Sequence, residues 1–325
     1  MSTTPPLDPP AADNPSTISA PRKARAREPR RLVETAPPLL PPMPDFGAGY
    51  LYHFDADYRM FADRLAEVGG VADIYEILSI QFNSEPSSLP RFARSLGKPI
   101  TLHSFEYCLG DVQRPPKAVI DRIQSHVRAA DIRYIGEHVG IMGGGDYVGG
   151  FLQPPGTDEQ TEILIRNVKA AQEGSPVPII IENPSQFYRQ IGPRSIGRQM
   201  RDIAEQANVG LLLSLSNISI SERFLSQDRD AFLAEIPLDR VREIHVLCGN
   251  SAEENSLEFE GARIEHQWAF RMLEELATRP ELKPSSVIFE LETGTPSLPE
   301  PEKLRDYMDR ARELFFRPAE AKLAA

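Results

Sequence analysis

Eight short apolar runs recur along this chain, and between most of them lies a stretch with helical spacing. The runs are GAGYLYH (47–53), ADIYEIL (72–78), PITLHSF (99–105), RYIGEHVGI (133–141), VPIIIENP (177–184), VGLLLSLSN (209–217), REIHVLCG (242–249) and SVIFELET (286–293). Helical periodicity marks KAVIDRIQSHVRAA (117–130), EILIRNVKAAQE (162–173), IGRQMRDIAEQA (196–207) and QWAFRMLEELAT (267–278). Strands alternating with helices of this length predict βα units and a parallel sheet. Several runs are apolar on both faces, as a sheet covered on both sides requires. Eight such units within about 250 residues select an α/β class, closed (β/α)8 TIM barrel. An open doubly wound sheet would gather its ligand at one switch point. No GxGxxG turn follows the first run, and the glycines at 143–145 lack a phosphate-loop lysine, so dinucleotide and P-loop readings fall away.

In a parallel barrel the C-terminal strand ends share one face and build the site there. Four of the six histidines, His53, His103, His138 and His245, end such runs, and Glu182 and Glu290 end two more. A lone strand histidine is more often a hydrogen-bonded core residue than a ligand. That reading weakens as independent strands repeat the pattern. Imidazoles and carboxylates converging on one point predict a metal site. Glu76 sits less securely, before Ile77 and Leu78. Glu137 should point away from its neighbour His138, towards the helices. His138 and Asn217 are assigned to substrate binding, although Asn217 equally suits a helix cap. Asn183, before a proline, reads as a turn residue, Cys248 as a buried filler and His126 as a surface residue. His266 stays open.

Residues 1–44 are dense in proline, with basic residues from Arg22 to Arg31, and read as a disordered arm. A single barrel is expected over 45–318, then a tail at 319–325. Of the 325 residues 41% are apolar, enough for a large core, and the net charge of −11 disfavours nucleic acid. With two cysteines no disulfide framework is implied. No run is long enough to span a membrane, and no signal peptide is visible. A cytoplasmic protein is expected.

The strand-end signatures GAGYLYHF, YEILSIQF, LHSF, GEHVGIM, IIIENPSQFY, LLLSLSN, REIHVLCGN and VIFELE resemble, in order, the motifs of the multinuclear non-haem iron-dependent oxidative enzymes, which include the methanobactin-biosynthesis oxidase. The resemblance covers residues 46–295 and implies a xylose-isomerase-like barrel. It also implies iron cofactors and oxidative modification of small ribosomal peptides with dioxygen. Carried onto this chain it assigns His53 and His103 to one iron, Glu182 as a bridge, and His245 and Glu290 to a second. The chain departs from the pattern where the family has an aspartate (Ser214), a second histidine (Gly249 and Asn250), an Asp-x-His pair (near Glu258 and Phe259) and a second-strand carboxylate (Ile80). A neutral hydroxyl is a poor replacement for a carboxylate ligand. One or two divalent ions, most of all iron, are therefore expected rather than three.

These features predict a divergent iron-dependent oxidative enzyme acting on a peptide or small thiol-containing molecule, with a precursor-presenting companion protein. The alternatives are a divalent-metal isomerase, epimerase or hydrolase on the same barrel, or a degenerate barrel that only binds.

Overall fold

The computed structural model describes residues 40–142, 152–248, 256–259, 262–291 and 298–317, with side chains at 256–259 and 262–268 left aside. Most of the predicted arm, the 143–145 glycines, Gly249, Asn250 and the 319–325 tail lie outside the described residues.

The eight predicted strands form β1 (Gly47–Leu51), β2 (Ile74–Leu78), β3 (Ile100–Ser104), β4 (Ile132–His138), β5 (Ile179–Glu182), β6 (Gly210–Ser214), β7 (Val241–Cys248) and β10 (Ser286–Leu291). All neighbours pair in parallel, and β1 closes on β10 to complete the barrel. A short antiparallel hairpin, β8 (Ser256–Phe259) and β9 (Ala262–Glu265), is inserted after β7. The shell contains α1 (Ala56–Glu67), α2 (Leu89–Leu96), α3 (Lys117–Ala130), α4 (Asp158–Glu173), α5 (Ile196–Ala207), α6 (Leu215–Leu225), α7 (Arg229–Glu235), α8 (His266–Leu276) and α9 (Pro301–Ala311). Among the described residues no helix is long and apolar enough to cross a membrane.

Local chemistry sets these boundaries. Asp55, Thr157 and Ser195 accept main-chain N–H bonds at the starts of α1, α4 and α5. Asn208, left-handed at φ 54°, ends α5 and turns the chain into β6. Helix α6 has no such connecting loop. It begins at Leu215, directly after β6, with Ser214 as its cap.

Among the described residues two apolar cores matter for the site. The larger lies between sheet and helices and takes the outward positions of the strands. The smaller fills the lower barrel with Leu51, Ile74, Tyr134, Ile180, Leu212 and Ile288, and Met43 and Phe46 pack against it. Met43, which lies within the predicted arm, thus packs against this core. Strand alternation then dictates what stands above this plug: within a strand, a position is followed two residues later by one on the same face. Ile74 leads to Glu76, Ile180 to Glu182, Leu212 to Ser214 and Ile288 to Glu290.

Candidate metal centre

The register places His103, His138, Glu182 and His245 inside the barrel. His138 pairs with Glu182 across β4 and β5, and His245 pairs with Ser214 across β6 and β7. The Glu182 Oε2 lies 2.8 Å from His138 Nδ1 and 3.4 Å from His103 Nε2. The His103 ring centroid is 4.6 Å from that of His138 and 5.2 Å from that of His245. His103, Glu182 and His245 each offer a donor atom, and these atoms lie within 4.8 Å of one another. Gly136 makes room for this packing, since a Cβ there would meet His103 Nδ1 at 2.9 Å.

Glu182 Oε2, both His103 nitrogens and His245 Nδ1 are buried with no hydrogen-bond partner. Leaving several buried polar atoms unpaired costs about 1–3 kcal/mol each. A cation bound at about 2.0–2.2 Å would set its donors about 3–3.5 Å apart and satisfy Glu182 Oε2 and one His103 nitrogen together. The donor set therefore fits a divalent metal. Burial disfavours charge on His103, yet Glu76 and Glu182 outweigh it and hold the imidazole up at about 9. Burial would likewise raise Glu182, but His138 and His103 hold its carboxyl well below the usual range. The site thus concentrates negative charge where a cation would sit. His138 and Glu290 keep 17% and 22% of their side chains exposed, against 3% or less for His103, Glu182 and His245, so access is past those two.

Below this rim lies a second set of polar groups. His245 Nε2 is 3.2 Å from Glu243 Oε1 and 3.3 Å from Glu76 Oε2, while its Nδ1 is 3.3 Å from Glu290 Oε1. Glu243 Oε2 accepts from the Tyr134 hydroxyl and, at 2.9 Å, from Ser286. Glu76, Glu243 and His245 are all fully buried. Burial pushes Glu76 up, whereas the donors around Glu243, His245 foremost, overcome burial and hold it down.

The remaining sequence candidates are distributed as follows. His53 joins neither group of converging donors. It lies two residues beyond β1, its Nδ1 accepts from Gln81 Nε2 at 2.8 Å, and its ring packs on Tyr58 at 4.7 Å. Asn217 is held too: its amide donates to Glu182 Oε1 and to the Asn183 carbonyl, both at 2.9 Å. It thereby aims Glu182. Asn183 does more than turn the chain. Its side chain accepts from Ser214 N at 2.8 Å and donates to Ser214 O at 3.2 Å, tying β5 to β6. Ser214 uses its hydroxyl to cap α6 at Asn217 N, 3.4 Å away. His126 corrects the surface reading: with Ile123 and Val127 it forms the buried stripe of α3 and is only 2% exposed. Alternation turns Glu137 outward from the barrel interior, where it is fully buried. Cys248 is buried, with its thiol pushed up to about 12 by desolvation. His266 opens α8, and Glu258 and Phe259 lie in the β8 strand of the hairpin.

Glu243, Tyr134 and Ser286 escaped the sequence reading. The available signal was the two-residue period: in REIHV, Glu243 must share the face of His245.

Comparison with known proteins agrees with this architecture. A UPF0276 protein of Vibrio parahaemolyticus is 29% identical over 149 residues, covering 45% of this chain and 52% of the relative. One of Chromobacterium violaceum is 25% identical over 238 residues, covering 72% and 84%. The chain thus spans about half the length of the Vibrio relative, and 35% of one from Streptomyces avermitilis. Among solved structures, the fold is similar to the 3-keto-D-glucoside 4-epimerase of E. coli, with TM-score 0.52, 11% identity, and 82% and 99% of the two chains covered. It is also similar to a xylose isomerase-like TIM barrel protein of Mycobacterium smegmatis in complex with magnesium, with TM-score 0.51, 12% identity, and 79% and 90% covered. At these identities the likeness establishes the xylose-isomerase-like barrel and nothing finer. The model of the RiPP precursor modification enzymes MbnB/TglH/ChrH matches residues 59–315. By its sequence, the chain belongs to that family.

Proposed function

We propose that the protein is a metal-dependent, iron-favouring oxidative enzyme that modifies a peptide or small thiol-containing substrate. The supporting observation is that His103 Nε2 and Glu182 Oε2, both buried and without hydrogen bonds, lie 3.4 Å apart, with His138 Nδ1 2.8 Å from the same carboxylate oxygen. These three would hold the first ion. His138 thereby takes the place that the resemblance gives to His53. His245 Nδ1 and Glu290 would hold a second ion more weakly, because Ser214 supplies no carboxylate. Bound iron would supply the redox chemistry that dioxygen requires.

The chain's own groups supply position. Asn217 fixes one oxygen of Glu182 and leaves the other towards the histidines. The apolar plug below keeps water from the site's floor. Substrate would enter past His138 and Glu290, with His53 at the same end of the barrel, and a companion protein would present a peptide precursor.

The test is metal content after anaerobic reconstitution with ferrous iron. His103→Ala should lose most of its metal, while His126→Ala should keep it, because only His103 faces Glu182. Equal metal content in the two variants contradicts the assignment. A visible absorption change on exposure to oxygen is expected of the loaded protein. A colourless zinc protein with sugar-isomerising activity would instead establish the epimerase alternative.

A further inference from the structure

We propose that Glu243, backed by Tyr134 and Ser286 and faced by Glu76, is a positioning residue that turns His245 so that Nδ1 is its donor atom at the rim. This rests on the metal-centre reading above and names a role for a buried network that the reading leaves unused.

The two nitrogens of His245 have different surroundings. Nε2 makes hydrogen bonds to Glu243 Oε1 at 3.2 Å and Glu76 Oε2 at 3.3 Å. Glu243, whose other oxygen already accepts from Tyr134 and Ser286, acts as an acceptor, so the nitrogen that faces it is the one that bears hydrogen. A nitrogen bearing hydrogen has no lone pair for a metal. Nδ1 is left, fully buried and without a hydrogen bond, 3.3 Å from Glu290 Oε1. Orientation of a ligating imidazole through its far N–H is the general way a carboxylate behind a metal site acts.

Glu243 is well placed for that task. Its second oxygen accepts from Tyr134 on β4 and from Ser286 on β10, so three strands fix one carboxylate. The Tyr134 and Ser286 hydroxyl oxygens lie 2.6 Å apart, packed side by side on that carboxylate oxygen.

The competing reading puts a cation between Glu76, Glu243 and His245, whose donor atoms also lie within 4.8 Å of one another. Two observations oppose it. Glu243 already accepts from Tyr134, Ser286 and His245, which uses most of its lone-pair capacity. All three residues are fully buried, directly above the apolar plug, and a cation there would leave His245 Nδ1 unused.

The experiment uses the full chain labelled with nitrogen-15 histidine, metal-free and loaded with diamagnetic zinc. A slowly exchanging His245 Nε2 proton is expected in both states. Glu243→Leu should abolish that signal and weaken the second zinc equivalent about 10–100-fold, leaving the first unchanged. Glu243→Gln keeps an acceptor and should recover part of both. Should Glu243→Leu fail to fold, Tyr134→Phe leaves the carboxylate in place and should weaken the second equivalent in the same direction, less strongly. Zinc bound at Nε2, or an unchanged second equivalent in both Glu243→Leu and Tyr134→Phe, overturns the proposal. If the wild-type chain takes no zinc, the metal-centre reading fails, and the Nε2 proton of the metal-free chain still decides the orientation of His245.

Discussion

Gly136→Ala adds one methyl group beside the metal centre and removes no ligand. The added Cβ would lie 2.9 Å from His103 Nδ1 and 3.0 Å from Leu212 Cδ1, where ordinary contacts begin near 3.4 Å. The His103 ring must therefore retreat by about 0.5 Å, while metal–ligand distances tolerate only about 0.2 Å. Backbone strain is not involved, because Gly136 does not adopt a positive φ. Overpacking of this kind costs about 1–3 kcal/mol, and replacing a strand glycine returns about 0.5–1 kcal/mol. The metal-free variant should thus lose at most about 2.5 kcal/mol, or no more than roughly 10 °C in Tm. Affinity for the first metal should fall about 10–100-fold, as for other losses of ligand positioning. The assay is chelator-competition titration with zinc or anaerobic ferrous iron, alongside calorimetry of the metal-free protein. Gly97→Ala is the control, since Gly97 has a φ of 61° but no neighbour within 4 Å of an added Cβ. It should lose stability without losing metal. Wild-type metal affinity in folded Gly136→Ala would refute the assignment of His103 as a ligand.

Three further outcomes follow from particular contacts. Asn217→Ala frees Glu182 Oε1 and should weaken the first metal about 10–100-fold, read by the same titration. Ser214→Asp keeps a side chain able to cap α6 and adds a carboxylate beside His245, so metal analysis should find fuller occupancy of the second position. Burial, opposed by Ser104 and His103, pushes Glu137 from the ordinary 4.5 up to about 8. Between those values the folded chain keeps a proton that the unfolded chain releases. Stability should therefore fall with rising pH across that window, by at most about 1.4 kcal/mol per pH unit, and level off above it. Urea unfolding of metal-free Glu137→Gln should lack that slope.

How much of this was legible in the sequence depended on which periodicity governed each residue. The strands were legible because a sheet buried on both faces leaves near-continuous apolar runs such as LLLS and IIIE. Helix α3 was read to its observed ends, Lys117–Ala130. Its contact face was not, because His126 lies on the stripe of Ile123 and Val127 and a polar name disguised a buried position. Glu243 shows the reverse case: it drew no notice as a charged residue, though its spacing from His245 puts it inside. His53 was the hardest to place. The ladder of β1 stops at Leu51, and beyond it alternation no longer says where a side chain points. Asn217 was ambiguous because no loop separates β6 from α6, so a first-turn helix residue reaches back to Glu182. That contact depends on tertiary geometry, which no local pattern encodes.

The most direct measurement is anomalous diffraction from crystals of the metal-reconstituted protein. The account predicts a peak about 2.0–2.2 Å from His103 Nε2, His138 Nδ1 and Glu182 Oε2. An absent peak at that position, or a single peak enclosed by Glu76 and Glu243 beneath it, would contradict the account.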